Sequence, residues 1–149
     1  MRVYLDNCCY NRPYDSQIQT KVRLETEAKL HIQDLIKTGQ IEMVSSYALL
    51  YENSRSPYLA RKEAIDSFIY ENSSLYVSPE NHKQIASKAR EIMKTGVKYK
   101  DALHVAAAIK AECDFLLTTD IRLLKYNTNE IRICSPVEFV TQMEEDSDD

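Results

Sequence analysis

Glycine is almost missing from this chain of 149 residues: there are two, Gly39 and Gly96, each standing alone. Without clustered glycines there is no GxGxxG turn for a dinucleotide and no GxxxxGK[ST] loop for a triphosphate, so cofactor readings that need those loops are excluded. Tryptophan is absent, and the four cysteines, Cys8, Cys9, Cys113 and Cys134, contain no CxxC pair. With only His31, His82 and His104 to join them, no zinc-type spacing arises, and reduced thiols, some of them in a core, are expected. No apolar run approaches the roughly 18 residues of a membrane span. The opening Met-Arg-Val-Tyr-Leu-Asp holds no apolar signal core. A cytoplasmic protein with no membrane partner is the expectation.

A basic excess is missing too. The formal net charge is −4, unfavourable at first sight for nucleic acid, whose phosphates are met chiefly by Lys and Arg. The sign has a location, however. Residues 144–149 hold five carboxylates, which leaves 18 acidic against 19 basic residues in 1–143, a net of +1. The chain therefore reads as one domain over 1–143 and an acidic, disordered tail over 144–149.

Hydrophobic periodicity predicts strands and helices in alternation. Residues 2–6 form a short β-prone run ending in Asp6, and Asn11-Arg12-Pro13 mark 7–14 as a loop. From 16 to 37 apolar residues recur at helical spacing, with Gly39 where a helix end would put it. Further strands are predicted at 41–45, 75–77, 115–119 and 131–134. Helices are expected over 46–53 behind a Ser46 cap, over 58–70, from Ser78-Pro79 to 94, over 99–113, and from Ser135-Pro136 to 143. Such alternation implies one α/β domain, a central parallel sheet of four to five strands with helices on both faces.

Four carboxylates stand out from the solvated majority. Asp6 and Asp120 each follow a predicted strand, and ligands of open parallel sheets bind outside the carboxyl ends of the strands. Asp101 opens the Ala-rich helix, and Glu52 lies one turn beyond Ala48 on a half-buried helix face. Singly, each has an innocent use as a cap, a dipole partner or a solvated group. Together at one sheet edge, carboxylates about 4 Å apart would repel by roughly 4 kcal/mol per pair at an effective dielectric near 20. An oxygen-rich cluster of this kind suits a hard divalent cation, Mg²⁺ or Mn²⁺.

At these residues the sequence resembles the PIN-domain family of metal-dependent ribonucleases, in its toxin-like single-domain branch. The likeness is carried by Leu5-Asp6, by Tyr51-Glu52-Asn53, by Lys100-Asp101-Ala102-Leu103-His104-Val105-Ala106 and by Leu117-Thr118-Thr119-Asp120, in the family's order and approximate spacing over nearly the whole chain. The resemblance implies a three-layer α/β/α fold and an acidic quartet of Asp6, Glu52, Asp101 and Asp120 holding Mg²⁺ or Mn²⁺. It also implies a hydroxyl beside the quartet, here Thr118, an RNA substrate, and, for the toxin branch, a small antitoxin protein and a homodimer. One departure is visible. The family commonly has Thr then Asn or Ser after its first Asp, whereas Asn7, Cys8 and Cys9 stand here, and Asn7 is the substitute for the polar contact.

The resulting expectation is an endoribonuclease in which metal polarises the scissile phosphodiester and activates water. Arg12, Lys98, Lys100 and Arg122 are the candidate phosphate contacts near the quartet. His104, three residues after Asp101, reads as a packed histidine or a group bonding a ligand, since hard metals favour oxygen. Tyr10, Tyr14, Tyr47, Tyr51 and Tyr58 are candidate stacking surfaces for unpaired bases, with packing as the alternative. A phosphoaspartate phosphatase is disfavoured by Cys8 where a second Asp is required, a phospho-receiver by the single Asp after the first strand, and a serine hydrolase by the lack of a GxSxG elbow. The surviving alternative is an inactive PIN-like module that binds RNA or protein. Setting aside tail and quartet leaves 14 acidic against 19 basic residues, a scaffold of +5.

Overall fold

The computed structural model describes residues 1–147. Five strands, β1 (Arg2–Leu5), β2 (Glu42–Ser46), β3 (Ser73–Val77), β4 (Phe115–Leu117) and β5 (Arg132–Cys134), form one parallel sheet in the order β3-β2-β1-β4-β5. Val3, Tyr4 and Leu5 of β1 and all of β4 are buried, as expected of strands covered on both faces. Eight helices surround them: α1 (Asn7–Asn11), α2 (Thr20–Lys37), α3 (Tyr47–Ser54), α4 (Leu59–Asn72), α5 (His82–Met93), α6 (Tyr99–Lys110), α7 (Ile121–Leu124) and α8 (Pro136–Ser147). The fold is the expected three-layer α/β/α arrangement. α2 packs with α8 and α5 with α6, and α6 lies against β2 and β4. Its run from Val105 to Ala108 is buried throughout, because alanine lets a helix lie close to the sheet on one side and to a neighbouring helix on the other. No helix among the described residues is long and apolar enough to cross a membrane.

The strand order reverses direction between β1 and β4, which makes the crevice at their carboxyl ends the topological switch point of the sheet. Register puts Leu5 opposite Leu117, so the residues that follow, Asp6 and Thr118, leave the sheet side by side.

Several boundaries differ from expectation, each for a local reason. The loop expected over 7–14 is helical: Asp6 caps α1 by accepting from the Asn7 amide at 2.7 Å, and Arg12–Tyr14 continue as a 3-10 turn. α2 starts at Thr20, since Gln17 turns its amide back onto the Arg12 and Asp15 carbonyls and so holds the preceding residues out of the helix. Pro79–Asn81 form a 3-10 turn before α5, with no side-chain cap from Ser78. β4 ends at Leu117, which frees Thr118 and Thr119 for the crevice, and Asp120 caps a short helix, α7, absent from the expectation. α8, with Ser135 Oγ accepting from the Glu138 amide at 3.1 Å, runs past 143 to Ser147. Four of the six residues assigned to a disordered tail are therefore exposed helix, and the end of that stretch, 148–149, lies outside the described residues.

Candidate metal centre

Asp6 is an acid at the carboxyl end of a buried strand, and the strand leaves it little solvent: it is 5% exposed. Its amide donates to the Leu117 carbonyl at 2.9 Å, extending the β1–β4 ladder by one bond and fixing the side chain's direction. Thr118 Oγ1 donates to Oδ2 at 2.9 Å, the Asn7 amide to Oδ1 at 2.7 Å, and Cys8 Sγ contacts Oδ2 at 3.4 Å. The Thr118 oxygen also accepts from the Asp120 amide at 3.1 Å, so one buried hydroxyl ties the Asp6 carboxylate to the backbone of Asp120. The role expected of Thr118 has a geometry to support it.

Glu52 comes from α3, which Ser46 starts by accepting from the Leu49 amide at 3.1 Å. His104 Nε2 lies 3.1 Å from Glu52 Oε1 and 3.8 Å from Asp6 Oδ1. The ligating atoms of Asp6, Glu52 and His104 all fall within 4.8 Å of one another. On the far side of the imidazole, Nδ1 is 2.6 Å from Tyr4 Oη, which is itself 2.6 Å from Ser46 Oγ. Tyr4, Ser46 and His104 are fully buried, so the direction of these bonds is constrained. The Ser46 oxygen already accepts from Leu49, and its proton has one acceptor among the described residues, the Tyr4 oxygen. Tyr4 then donates to Nδ1, and Nε2 carries the proton toward Glu52. With Nε2 protonated His104 donates to Glu52, and it also belongs to the group, with Asp6 and Glu52, whose atoms lie close enough to hold a metal ion. Burial alone would push its pKa down, but the Glu52 bond and the charges of Asp6, Glu52 and Asp101 outweigh that and raise it. For Glu52 burial pulls upward, and the bonds and charges of His104 and Lys100 prevail, lowering its pKa.

Asp101 and Asp120 approach from the other side and share the lining of a cavity of about 340 Å³ with Lys98, Arg122 and Lys125. Asp120 Oδ1 accepts from the Arg122 amide at 2.8 Å, which caps α7. Asp101, in the first turn of α6, is half-buried, and its pKa is raised, first by burial and then by the charges of Asp6 and Asp120, with Glu52 adding and His104 opposing. Asp101 is thus coupled by charge to Asp6, Asp120 and Glu52, while the ligating atoms close enough together to share one ion are those of Asp6, Glu52 and His104. Hydrogen bonds to charged groups contribute about 1.5–3 kcal/mol each. They suffice to hold Asp6, but Asp101 accepts none among the described residues. A hard divalent cation fits the oxygens of Asp6 and Glu52, with Asp101 half-buried and coupled to them by charge, and with a buried Asn7 Oδ1 that has no partner among the described residues.

The expected phosphate contacts divide. Lys98 and Arg122 line the Asp101–Asp120 cavity. Lys100 is instead paired with Glu52, Nζ to Oε2 at 2.6 Å. Arg12 spends its guanidinium on Glu25 at 2.9 Å and Asp15 at 3.1 Å, anchoring the turn after α1 to α2. Sequence reasoning missed Tyr4, which looks like an ordinary strand residue, the bond of Ser46 to Tyr4 beyond its expected cap, and Lys125, which sits on an unexpected helix end. For Tyr4 the only signal was a phenol in an otherwise aliphatic strand.

No family model matches the sequence, and no curated protein sequence matches it. Solved structures do. A chain of VapBC2 from Rickettsia felis bound to a DNA fragment from its promoter superposes with a TM-score of 0.54 at 14% identity, over 89% of this chain and 97% of that one. A chain of FitAcB from Neisseria gonorrhoeae gives 0.52 at 13% identity over 90% and 97%, and one of FitAB bound to an IR36 DNA fragment gives 0.59 at 13% over 91% and 95%. At such identities the likeness speaks for architecture, and the architecture of this chain is the PIN-like three-layer α/β/α fold that its acidic motifs implied.

Proposed function

We propose that this protein is a metal-dependent endoribonuclease that hydrolyses RNA phosphodiester bonds in the cytoplasm. What supports the proposal is the grouping of Asp6 and Glu52 at the switch point of the sheet, with the Asp101 pKa raised first by burial and then by the charges of Asp6 and Asp120. Perturbed carboxylates in a cleft are what metal-assisted hydrolysis requires, and a structural use of four such groups would leave the repulsion unmet.

When bound, Mg²⁺ or Mn²⁺ would polarise the scissile phosphate and lower the pKa of a bound water. The protein's part is positioning. Asp6, pinned by Thr118 and the Asn7 amide, presents a ligand whose direction costs nothing to set at the moment of reaction. Glu52, with His104 donating to one oxygen, is oriented to hold the cation or to accept a hydrogen bond from the attacking water. Asp101 and Asp120 complete the ligand set, and Lys98, Arg122 and Lys125 line the same cavity, where phosphate would be met by cations. Lys100 neutralises Glu52 in the metal-free protein.

The similar structures are of two-component assemblies, two of them with DNA. We therefore take the protein to be the toxin of a toxin–antitoxin pair, a homodimer held inactive by a small DNA-binding partner. The Lys100–Glu52 pair favours a second reading, a PIN-like module that binds RNA or protein without cleaving, because it occupies a ligand oxygen.

One experiment separates them. Purified protein is incubated with single-stranded RNA in Mg²⁺, Mn²⁺ or EDTA, beside Asp6→Asn and Asp101→Asn. The nuclease reading requires cleavage that depends on metal and is lost in both variants; metal-independent cleavage, or cleavage undiminished by both substitutions, removes it. No cleavage together with no Mn²⁺ binding establishes the inert module.

A further inference from the structure

On the opposite side of Glu52 from the charged cavity runs a larger groove, about 780 Å³, formed by α3, the turn into α4 and the start of α6. Three tyrosines on it face solvent: Tyr51 is 65% exposed, Tyr58 59% and Tyr99 40%. Solvent-exposed aromatic area of this extent marks a binding surface. The other lining groups that decide its chemistry are cationic. Arg55 has no ion-pair partner among the described residues, and Arg61 stacks its guanidinium over the Tyr58 ring at 4.4 Å and the Tyr14 ring at 5.4 Å. Glu52 is the sole acid of the lining, and it belongs to the metal centre at the groove's end. Flat π surfaces interleaved with positive charge, opening onto a carboxylate cluster, match a polyanion that brings planar rings with it.

We infer that this groove is the stacking platform for unpaired bases of the RNA whose backbone enters the metal centre. The inference deepens the nuclease reading and rests on it for the identity of the polymer. Charge complementarity argues for this occupant over a peptide helix. A helix seated in a groove is anchored by apolar side chains in aliphatic pockets. Here the exposed rings carry hydroxyls and the rim carries guanidinium groups, which suit base faces and phosphates. A duplex buries its base faces in its own stack and has none to offer the tyrosines. Part of the platform is already held in place: Arg61 is fixed by Asp15 at 3.6 Å and the Tyr14 carbonyl at 3.0 Å, and so holds the Tyr58 ring before any ligand arrives.

The test reads binding, with EDTA present to silence cleavage. A short fluorescein-labelled single-stranded RNA of mixed sequence, its duplex with the complement, and an abasic strand of equal length are titrated with wild-type protein, Tyr51→Ala, Tyr58→Ala, Tyr51→Phe and Arg55→Gln, using anisotropy. Each Tyr→Ala change should weaken single-strand binding about 5- to 150-fold and leave the weaker abasic binding untouched, while Tyr51→Phe keeps wild-type affinity. Arg55→Gln should reduce the salt slope of binding by about 0.7, as for one phosphate contact on a single strand. Unchanged single-strand affinity in both Tyr→Ala variants overturns the inference, as does duplex RNA bound as tightly as the single strand. Should the same variants instead lose an apolar peptide helix while keeping RNA, the groove is a protein-docking surface and the inference fails. Because these arms never read cleavage, their failure is separate from that of the nuclease reading, which is decided by the metal dependence of RNA cleavage and its loss in Asp6→Asn and Asp101→Asn.

Discussion

The two sides of the carboxylate cluster are built on opposite plans. At Asp6 and Glu52 the oxygens are met by protein donors: Thr118, the Asn7 amide, His104 and Lys100. At Asp101 and Asp120 one carboxylate caps a helix and the other faces its neighbours' charge, in a cavity whose cations are Lys98, Arg122 and Lys125. One side is thus positioned by the fold, and the other is left electrostatically open. The difference teaches where order comes from in such a site. Buried hydrogen bonds set geometry in advance, whereas like-charge repulsion on the open side is eased by protonation or by cations, those of the cavity lining included.

The comparison can be broken by removing one member from each side. Asp6→Asn and Asp101→Asn should each lower the rate of RNA cleavage by about a thousandfold or more, measured in single-turnover assays at saturating Mn²⁺, because both sides supply ligands despite their different surroundings. Smaller losses belong to the groups that only aim those ligands. Thr118→Val and His104→Ala should cost about 10- to 100-fold in Mn²⁺ affinity or cleavage rate. His104→Gln, which can still offer an N–H to Glu52, should recover part of that loss; a packing role alone would not distinguish Gln from Ala.

Tyr4→Phe sharpens the same contrast in stability. It leaves the Ser46 hydroxyl and His104 Nδ1 without their buried partner, and urea titration should show a loss of about 1–3 kcal/mol. On the open side the sign reverses. The folded-state pKa of Asp101 lies above its ordinary value of 3.8, so the unfolded chain ionises first. The contribution of Asp101 to the stability of the metal-free protein therefore falls as pH rises from 3.8 through the folded pKa and stays lower at neutral pH. Asp101→Asn should consequently stabilise the metal-free protein modestly at neutral pH and lose that advantage in acid. Saturating Mn²⁺ should invert the order, stabilising wild type over the variant.

Legibility in the sequence followed the same division. The open side could be read: Asp101 and Asp120 are marked by local context, an acid opening an Ala-rich helix and an acid ending an apolar strand. Asp6 and Glu52 were visible for similar reasons. The bonds that support the positioned side could not be read, because Tyr4, Ser46 and His104 are brought together by strand register and by the seating of α6 on the sheet, over sequence separations of 42 and 100 residues. Arg12 shows the same limit from the other direction. Its neighbourhood looked suited to phosphate, and only the tertiary placement of Glu25 explains where its charge goes. The helix after Asp6 was missed since Asn11-Arg12-Pro13 carry turn chemistry, while the cap that stabilises α1 comes from the acid before it. The strands and long helices, by contrast, were written in periodicity, and the parallel sheet followed from their alternation.

The central claim is that both sides form one divalent-cation site. Calorimetric titration of Mn²⁺ into metal-free wild type, Asp6→Asn and Asp101→Asn tests it most directly. The expected result is saturable binding by wild type that is abolished or severely weakened in either variant. Wild-type binding retained in both variants, or no binding by the wild-type protein, would contradict it.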